Sequence, residues 1–98
     1  MKFTAAGDAL CQRRLPQDYE GFAEIRDFIM QGDGRFFNLE TTVNYEGEVY
    51  ANQFSGGTWV RCTPEVAEDM LDYGFNMTNI NNNHAMDFAH EGVIKTIE

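Results

Sequence analysis

Short apolar runs that break off in polar residues alternate along this chain with stretches whose apolar positions recur every three or four residues. Met1 to Ala6 is apolar and is followed by Gly7-Asp8, which predicts a buried strand ending in a turn. Asp8 then either projects from the strand tip or forms an Asx-turn or helix cap. From Asp18 through Gln31, Phe22, Ile25, Phe28 and Ile29 fall at helical spacing, with Asp18 and Glu20 in the first turn, so a helix is predicted to end near Gly32. Arg35 to Glu40 is a second short strand, and Glu40 repeats the position of Asp8. Thr41 to Tyr50, with Glu46-Gly47 at its centre, reads as a hairpin or a long loop. Gln53-Phe54-Ser55-Gly56-Gly57 reads as loop, and Trp59 to Cys62 as one more short strand.

Thr63-Pro64-Glu65 opens a helix, with Thr at the N-cap, Pro in the first turn and an acid beside it. Val66, Met70, Leu71 and Tyr73 are its expected buried face, and Gly74 its left-handed closing residue. Gly74 to Thr78 leads into a strand, and Phe88 to Glu98 is a helix. The order β, α, β, hairpin, α, β, α predicts an α/β fold: a short parallel sheet with helical crossovers plus a hairpin.

Composition narrows this picture. Ninety-eight residues make at most one domain. The last residues stop inside a helical pattern with no Gly, Asn or Pro to close it, so a truncated chain, or one whose edge a partner covers, is expected. The net charge of −9 argues against a nucleic-acid partner, which needs Lys and Arg to replace counterions, and suits a site that gathers metal cations. Cys11 and Cys62 have no CxxC spacing, so two buried free thiols are expected. No run approaches the roughly 18 apolar residues that span a bilayer, and Met1 to Ala6 lacks the apolar core of a signal peptide. The expected location is therefore cytoplasmic, with no membrane segment.

Candidate chemistry concentrates in Asn79-Ile80-Asn81-Asn82-Asn83-His84-Ala85-Met86-Asp87, between the last strand and the last helix. Such a run is either a turn built on side-chain-to-backbone bonds or a ligand site, because polar groups at carboxyl ends of parallel strands face the crevice where ligands bind. Two other strands end in Gly7-Asp8 and Asn38-Leu39-Glu40. If the three are neighbours, their tips bring together carboxylates, an amide oxygen and an imidazole. That donor set suits Mn²⁺, Mg²⁺, Zn²⁺ or Fe²⁺.

Gly7-Asp8, Asn38-Leu39-Glu40, Thr63-Pro64-Glu65 with Leu71 and Gly74-Phe75, and above all Asn82-Asn83-His84-Ala85-Met86-Asp87-Phe88 with Glu91-Gly92 and Thr96, resemble the amino-terminal part of the CapA, or poly-γ-glutamate capsule-synthesis, family. That family belongs to the calcineurin-like metallophosphatase superfamily, and the resemblance runs through nearly all of residues 1–98. It implies half of a metallophosphatase-like α/β sandwich, with Asp8, Glu40 and Asn83 as metal ligands, Glu40 bridging two ions. His84 would serve the leaving group catalytically. Asp87 would either orient His84 or cap the following helix, and His90 would lie on the surface. Two positions depart from the wider pattern: Leu10 stands where general metallophosphatases carry a His, and Ala89 stands where a Gly is usual.

The family's remaining His-type ligands lie in its carboxyl-terminal half, so this stretch is expected to hold its metal weakly or not at all and to be inactive by itself. It should also expose apolar surface or bury it in a homo-oligomer. The implied function is capsule-polymer biosynthesis with metal-dependent phosphoester hydrolysis. The implied partners are a phosphoester or an anionic polymer. The rival readings are a non-enzymatic component that binds or exports an anionic capsular polymer, and a small interaction domain in which the motifs are relics.

Overall fold

The computed structural model describes residues 1–55 and 57–98. The elements run β1 (Phe3–Ala9), α1 (Phe22–Ile29), β2 (Gly34–Leu39), β3 (Thr42–Val43), β4 (Arg61–Cys62), α2 (Pro64–Asp72), β5 (Met77–Asn79) and α3 (Ala89–Ile97). β1, β2 and β5 make one sheet in the order β1-β2-β5, with both pairings parallel. A parallel pair cannot be closed by a tight turn, and here α1 carries the chain from β1 to β2 while α2 lies on the way from β2 to β5. The predicted short parallel sheet with helical crossovers is thus present.

One sheet face holds the core. Ala9, Phe37 and Leu39 pack with Ile29, Val43, Cys62, Val66, Met70 and Phe75, the rings of Phe37 and Phe75 standing 5.1 Å apart. Side chains alternate along a strand, so Phe36 and its register partners Ala5 and Met77 belong to the opposite face. That face is partly bare, with Phe3 67% and Met77 49% exposed. The expected exposed apolar surface is therefore seen. Among the described residues no helix is long and apolar enough to cross a membrane.

The first strand departs from expectation in a way that shapes the site. It does not turn at Gly7-Asp8 but continues to Ala9, with an irregularity between Ala5 and Asp8. Ala5 pairs with Phe36 and Asp8 with Asn38, so three steps on β1 match two on β2 and one residue is extra. This bulge sets Asp8, rather than Gly7, opposite Asn38 and so on the same face. Without it, the period-two alternation would send Asp8 to the other side of the sheet.

Other differences have local causes. The first helix begins at Phe22, because Gly21 takes a left-handed φ of 101° just before it, and Asp18 and Glu20 consequently fall outside its first turn. Of the two readings of Thr41 to Tyr50, hairpin or long loop, the loop is the one seen. Glu48 closes a turn, its N–H donating to the Tyr45 carbonyl (3.1 Å) and its carboxylate accepting the Tyr45 N–H (2.9 Å). Thr42–Val43 pairs in parallel with Arg61–Cys62. The predicted loop Gln53 to Gly57 includes Gly56, which lies outside the described residues.

The second helix starts as expected, Thr63 extended and Pro64 in the first turn. Gly74 follows it at φ 103°, where a Cβ would also stand 3.0 Å from the Met30 sulfur. Leu71, expected inside, is 63% exposed, and Asp69 is buried in its stead. Both cysteines are free thiols as expected, though Cys11 is only half-buried; burial pushes the Cys62 thiol pKa up.

Candidate functional site

The register of the sheet builds a row of polar side chains. Asp8 pairs with Asn38 and Asn38 with Asn79, so a carboxylate and two carboxamides stand abreast at the carboxyl ends of three adjacent strands. Asn38 Nδ2 donates to Asp8 Oδ1 (2.9 Å), and Asn79 Nδ2 donates to Asn38 Oδ1 (2.8 Å). Asn82, just past β5, donates through Nδ2 to Asn38 Oδ1 (3.2 Å) and to the Leu39 carbonyl (2.8 Å). Its own Oδ1 accepts the His84 N–H at 3.1 Å. A hydrogen-bonded path therefore runs from Asp8 through Asn38 and Asn82 to the backbone of His84.

His84 and Asp87 occupy a run of tight turns that leads into α3, where the N–H groups of Ala85, Asp87 and Ala89 each donate to the carbonyl three residues earlier. His84 Nδ1 lies 2.7 Å from Asp87 Oδ2, and both side chains are buried. A carboxylate can only accept, so the proton of this bond sits on Nδ1, and in the neutral ring Nε2 carries the free lone pair. Asp87 Oδ2 also accepts the Val60 N–H (2.9 Å), and the Asp87 carbonyl accepts the Asn52 N–H (2.7 Å). Asn52 Nδ2 donates to the Met86 carbonyl (3.1 Å), and Trp59 Nε1 to the Asn52 carbonyl (2.7 Å). The long loop after β3 is thereby fastened along the turn that carries the imidazole. Gly57 stands beside it, where an added Cβ would lie 3.9 Å from His84 Cε1.

Each residue singled out from sequence can now be placed. Asp8 is at the tip of β1 and bonded to Asn38. Glu40 directly follows β2, half-buried, and its N–H donates to the Ala9 carbonyl (3.1 Å), so the two strand tips touch; alternation gives it the face of Asn38. Asn83 is exposed in the turn between Asn82 and His84. Of the two readings of Asp87, its carboxylate does reach His84, while the position before α3 is Phe88, which makes no side-chain cap bond. His90 is exposed on α3.

As metal ligands, Asp8, Glu40 and Asn83 offer hard oxygen donors of the right kind for Mn²⁺ or Mg²⁺. Two of the three are carboxylates and the third an amide; among the described residues no group of three or more His, Cys, Asp or Glu is placed to bind an ion. The sequence motifs contain Asn38, Asn79 and Asn82 without marking them as site residues. The signal for Asn38 was available: two positions before Glu40, it must share that residue's face.

The chain is an α/β protein whose polar side chains gather at the carboxyl ends of a parallel sheet, the rim at which open α/β sheets commonly bind ligands. The sequence specifies it further. Residues 2–98 match the family described as bacterial capsule synthesis protein PGA_cap, and the chain belongs to that family. It is similar to two uncharacterized proteins of Sinorhizobium fredii, y4sH and y4uA, at 32% identity over 97 residues in each case. Each match covers 94% of this chain and 21% of the relative, so the chain spans about a fifth of their length.

Proposed function

We propose that this chain contributes one wall of a metal-dependent phosphoester-hydrolysing site in a capsule-synthesis protein, acting on a phosphoester linked to an anionic polymer. Support comes chiefly from the path Asp8–Asn38–Asn82–His84, which joins in one bonded unit a carboxylate from the first strand and the backbone N–H of the turn, beyond the last strand, that carries the His84 imidazole. Asp8, Glu40 and the Asn83 amide oxygen would hold a divalent ion, Mn²⁺, Mg²⁺, Zn²⁺ or Fe²⁺, whose contribution when bound is to activate water and offset charge on phosphoryl oxygens. A catalytic site normally takes three or more protein ligands, so further ligands would come from chain outside these 98 residues.

His84 supplies the acid–base function in this reading. Asp87 pins Nδ1–H, which leaves Nε2 to give a proton to the leaving oxygen or take one from water. Because Asp87 is buried and also held by the Val60 N–H, the ring keeps one orientation through the cycle.

The test is hydrolysis of bis(p-nitrophenyl) phosphate by the full-length protein with Mn²⁺ or Zn²⁺ added. Asp8→Ala and His84→Ala should each lower the rate by about 100-fold or more. Absence of metal-dependent turnover, or variants as active as the parent, overturns the reading. Binding of an anionic capsular polymer without hydrolysis would instead identify a binding or export component.

A further inference from the structure

We propose that Asn38 is a positioning residue: its one planar amide sets the orientation of the Asp8 carboxylate and seats the turn that carries His84. Its Nδ2 donates to Asp8 Oδ1 at 2.9 Å, and its Oδ1 accepts from Asn79 Nδ2 at 2.8 Å and Asn82 Nδ2 at 3.2 Å. These partners allow only one orientation. Rotating the amide by half a turn would set an NH₂ against two NH₂ donors and an oxygen against a carboxylate. Asn38 is half-buried while Asp8 is exposed. The exposed acid would otherwise sample several rotamers, and the bond from Nδ2 engages Oδ1 and so restricts them.

The other end of the amide acts on the turn. Asn82 is fixed by Asn38 Oδ1 and the Leu39 carbonyl, and its own Oδ1 holds the His84 N–H. A change at Asn38 therefore reaches Asp8 directly and His84 through Asn82. The metal arm of the test rests on the proposed function; the spectroscopic arm does not.

The experiment compares Asn38→Leu and Asn38→Asp with the parent in the full-length protein, using ¹⁵N labelling and Mn²⁺ titration, with far-UV circular dichroism as the check on folding. Asn38→Leu removes donor and acceptor, so the backbone amide resonances of both Asp8 and His84 should move and Mn²⁺ affinity should fall about 10- to 100-fold, the usual consequence of losing a ligand's orienting partner. Asn38→Asp has the same shape and still accepts from Asn79 and Asn82, so the His84 resonance should stay near its parent position while that of Asp8 moves. A general loss of structure would move both in either variant, so the split pattern separates positioning from mere support of the fold.

An unmoved His84 resonance in folded Asn38→Leu, an unmoved Asp8 resonance in Asn38→Asp, or Mn²⁺ affinity within twofold of the parent overturns the proposal. If the parent itself fails to bind Mn²⁺, the metal reading falls, and the resonances alone decide the role of Asn38.

Discussion

Two carboxylates in this molecule are almost completely buried, Asp69 on α2 and Asp87 before α3, each about 1% exposed. Each accepts a backbone N–H and faces a basic side chain. Asp69 accepts the Leu15 N–H (2.9 Å) and a two-pronged contact from Arg14, Nε to Oδ2 at 2.8 Å and Nη2 to Oδ1 at 2.7 Å. Asp87 accepts the Val60 N–H and faces His84. The partners differ in kind. A guanidinium does not give up its proton in a protein, so the Arg14 pair can only fasten the segment after β1 onto α2. An imidazole can, so under the proposed function the same arrangement around Asp87 would serve proton transfer. They differ in setting too: the Arg14 side chain is 66% exposed and that of His84 10%.

The setting decides which pair is harder to lose. Asp87→Ala leaves the Val60 N–H and His84 Nδ1 without their acceptor in a place water reaches poorly, and it should cost about 3 kcal/mol, the low end for breaking a buried pair. Asp69→Ala releases an arginine that can hydrate at once, so its cost should be smaller. Urea unfolding of the two variants measures both. If Asp69→Ala proves as costly as Asp87→Ala, the contrast drawn from partner exposure is wrong.

Strain separates the two regions as well. The helix bearing Asp69 opens on a relaxed Thr63-Pro64 start, whereas the turn bearing His84 enters α3 through Ala89 at φ 59°, the non-glycine residue with positive φ among those described. The left-handed conformation costs an alanine about 1–2 kcal/mol, part of which a glycine would return as chain entropy on unfolding. Ala89→Gly should therefore stabilise the protein by about 0.5–1 kcal/mol and raise its thermal midpoint by a few degrees. A lower midpoint would show that Ala89 is not strained, and that the two regions share a relaxed geometry.

Ala89 also shows what could be read ahead of any structure. The family resemblance implies a glycine at this position, and the left-handed φ of Ala89 is a conformation that glycine adopts without penalty. The parallel sheet and the start and stop of α2 were legible because their causes are local: an apolar run ending in polar residues, or a Thr-Pro start with a Gly close. What could not be read depends on partners far along the chain. The bulge that turns Asp8 toward Asn38 arises from pairing with β2, and nothing within β1 announces it. β-rich composition between Thr41 and Tyr50 suggested a hairpin, yet Thr42–Val43 takes its partner from Arg61–Cys62. The burial of Asp69 could not be foreseen from its own helix, because Arg14, which makes that burial tolerable, lies 55 residues earlier. At the candidate site the motifs pointed to strand tips that do lie side by side, but the contacts of Asn38 emerge only once Asn79 and Asn82 are seen to converge on it.

The smallest expected effect tests the charge on the structural pair. The hydrogen bonds from Arg14, with the Leu15 N–H and the guanidinium charge assisting, hold the Asp69 carboxyl below its ordinary range despite the opposing effect of burial. A carboxyl depressed in the folded state binds protons more weakly there than in the unfolded chain, whose value is about 3.9. Its stabilising contribution is therefore complete above about pH 4 and is lost as pH falls through the lower, folded value. Arg14→Gln removes the chief cause, so the variant should lose less stability than the parent between pH 7 and pH 3. Because Arg14 is largely exposed, 1 M salt should narrow the difference between them. Urea midpoints at the two pH values measure it. Equal losses in parent and variant would mean that Arg14 merely covers Asp69, and that charge plays no part in distinguishing its pair from that of His84.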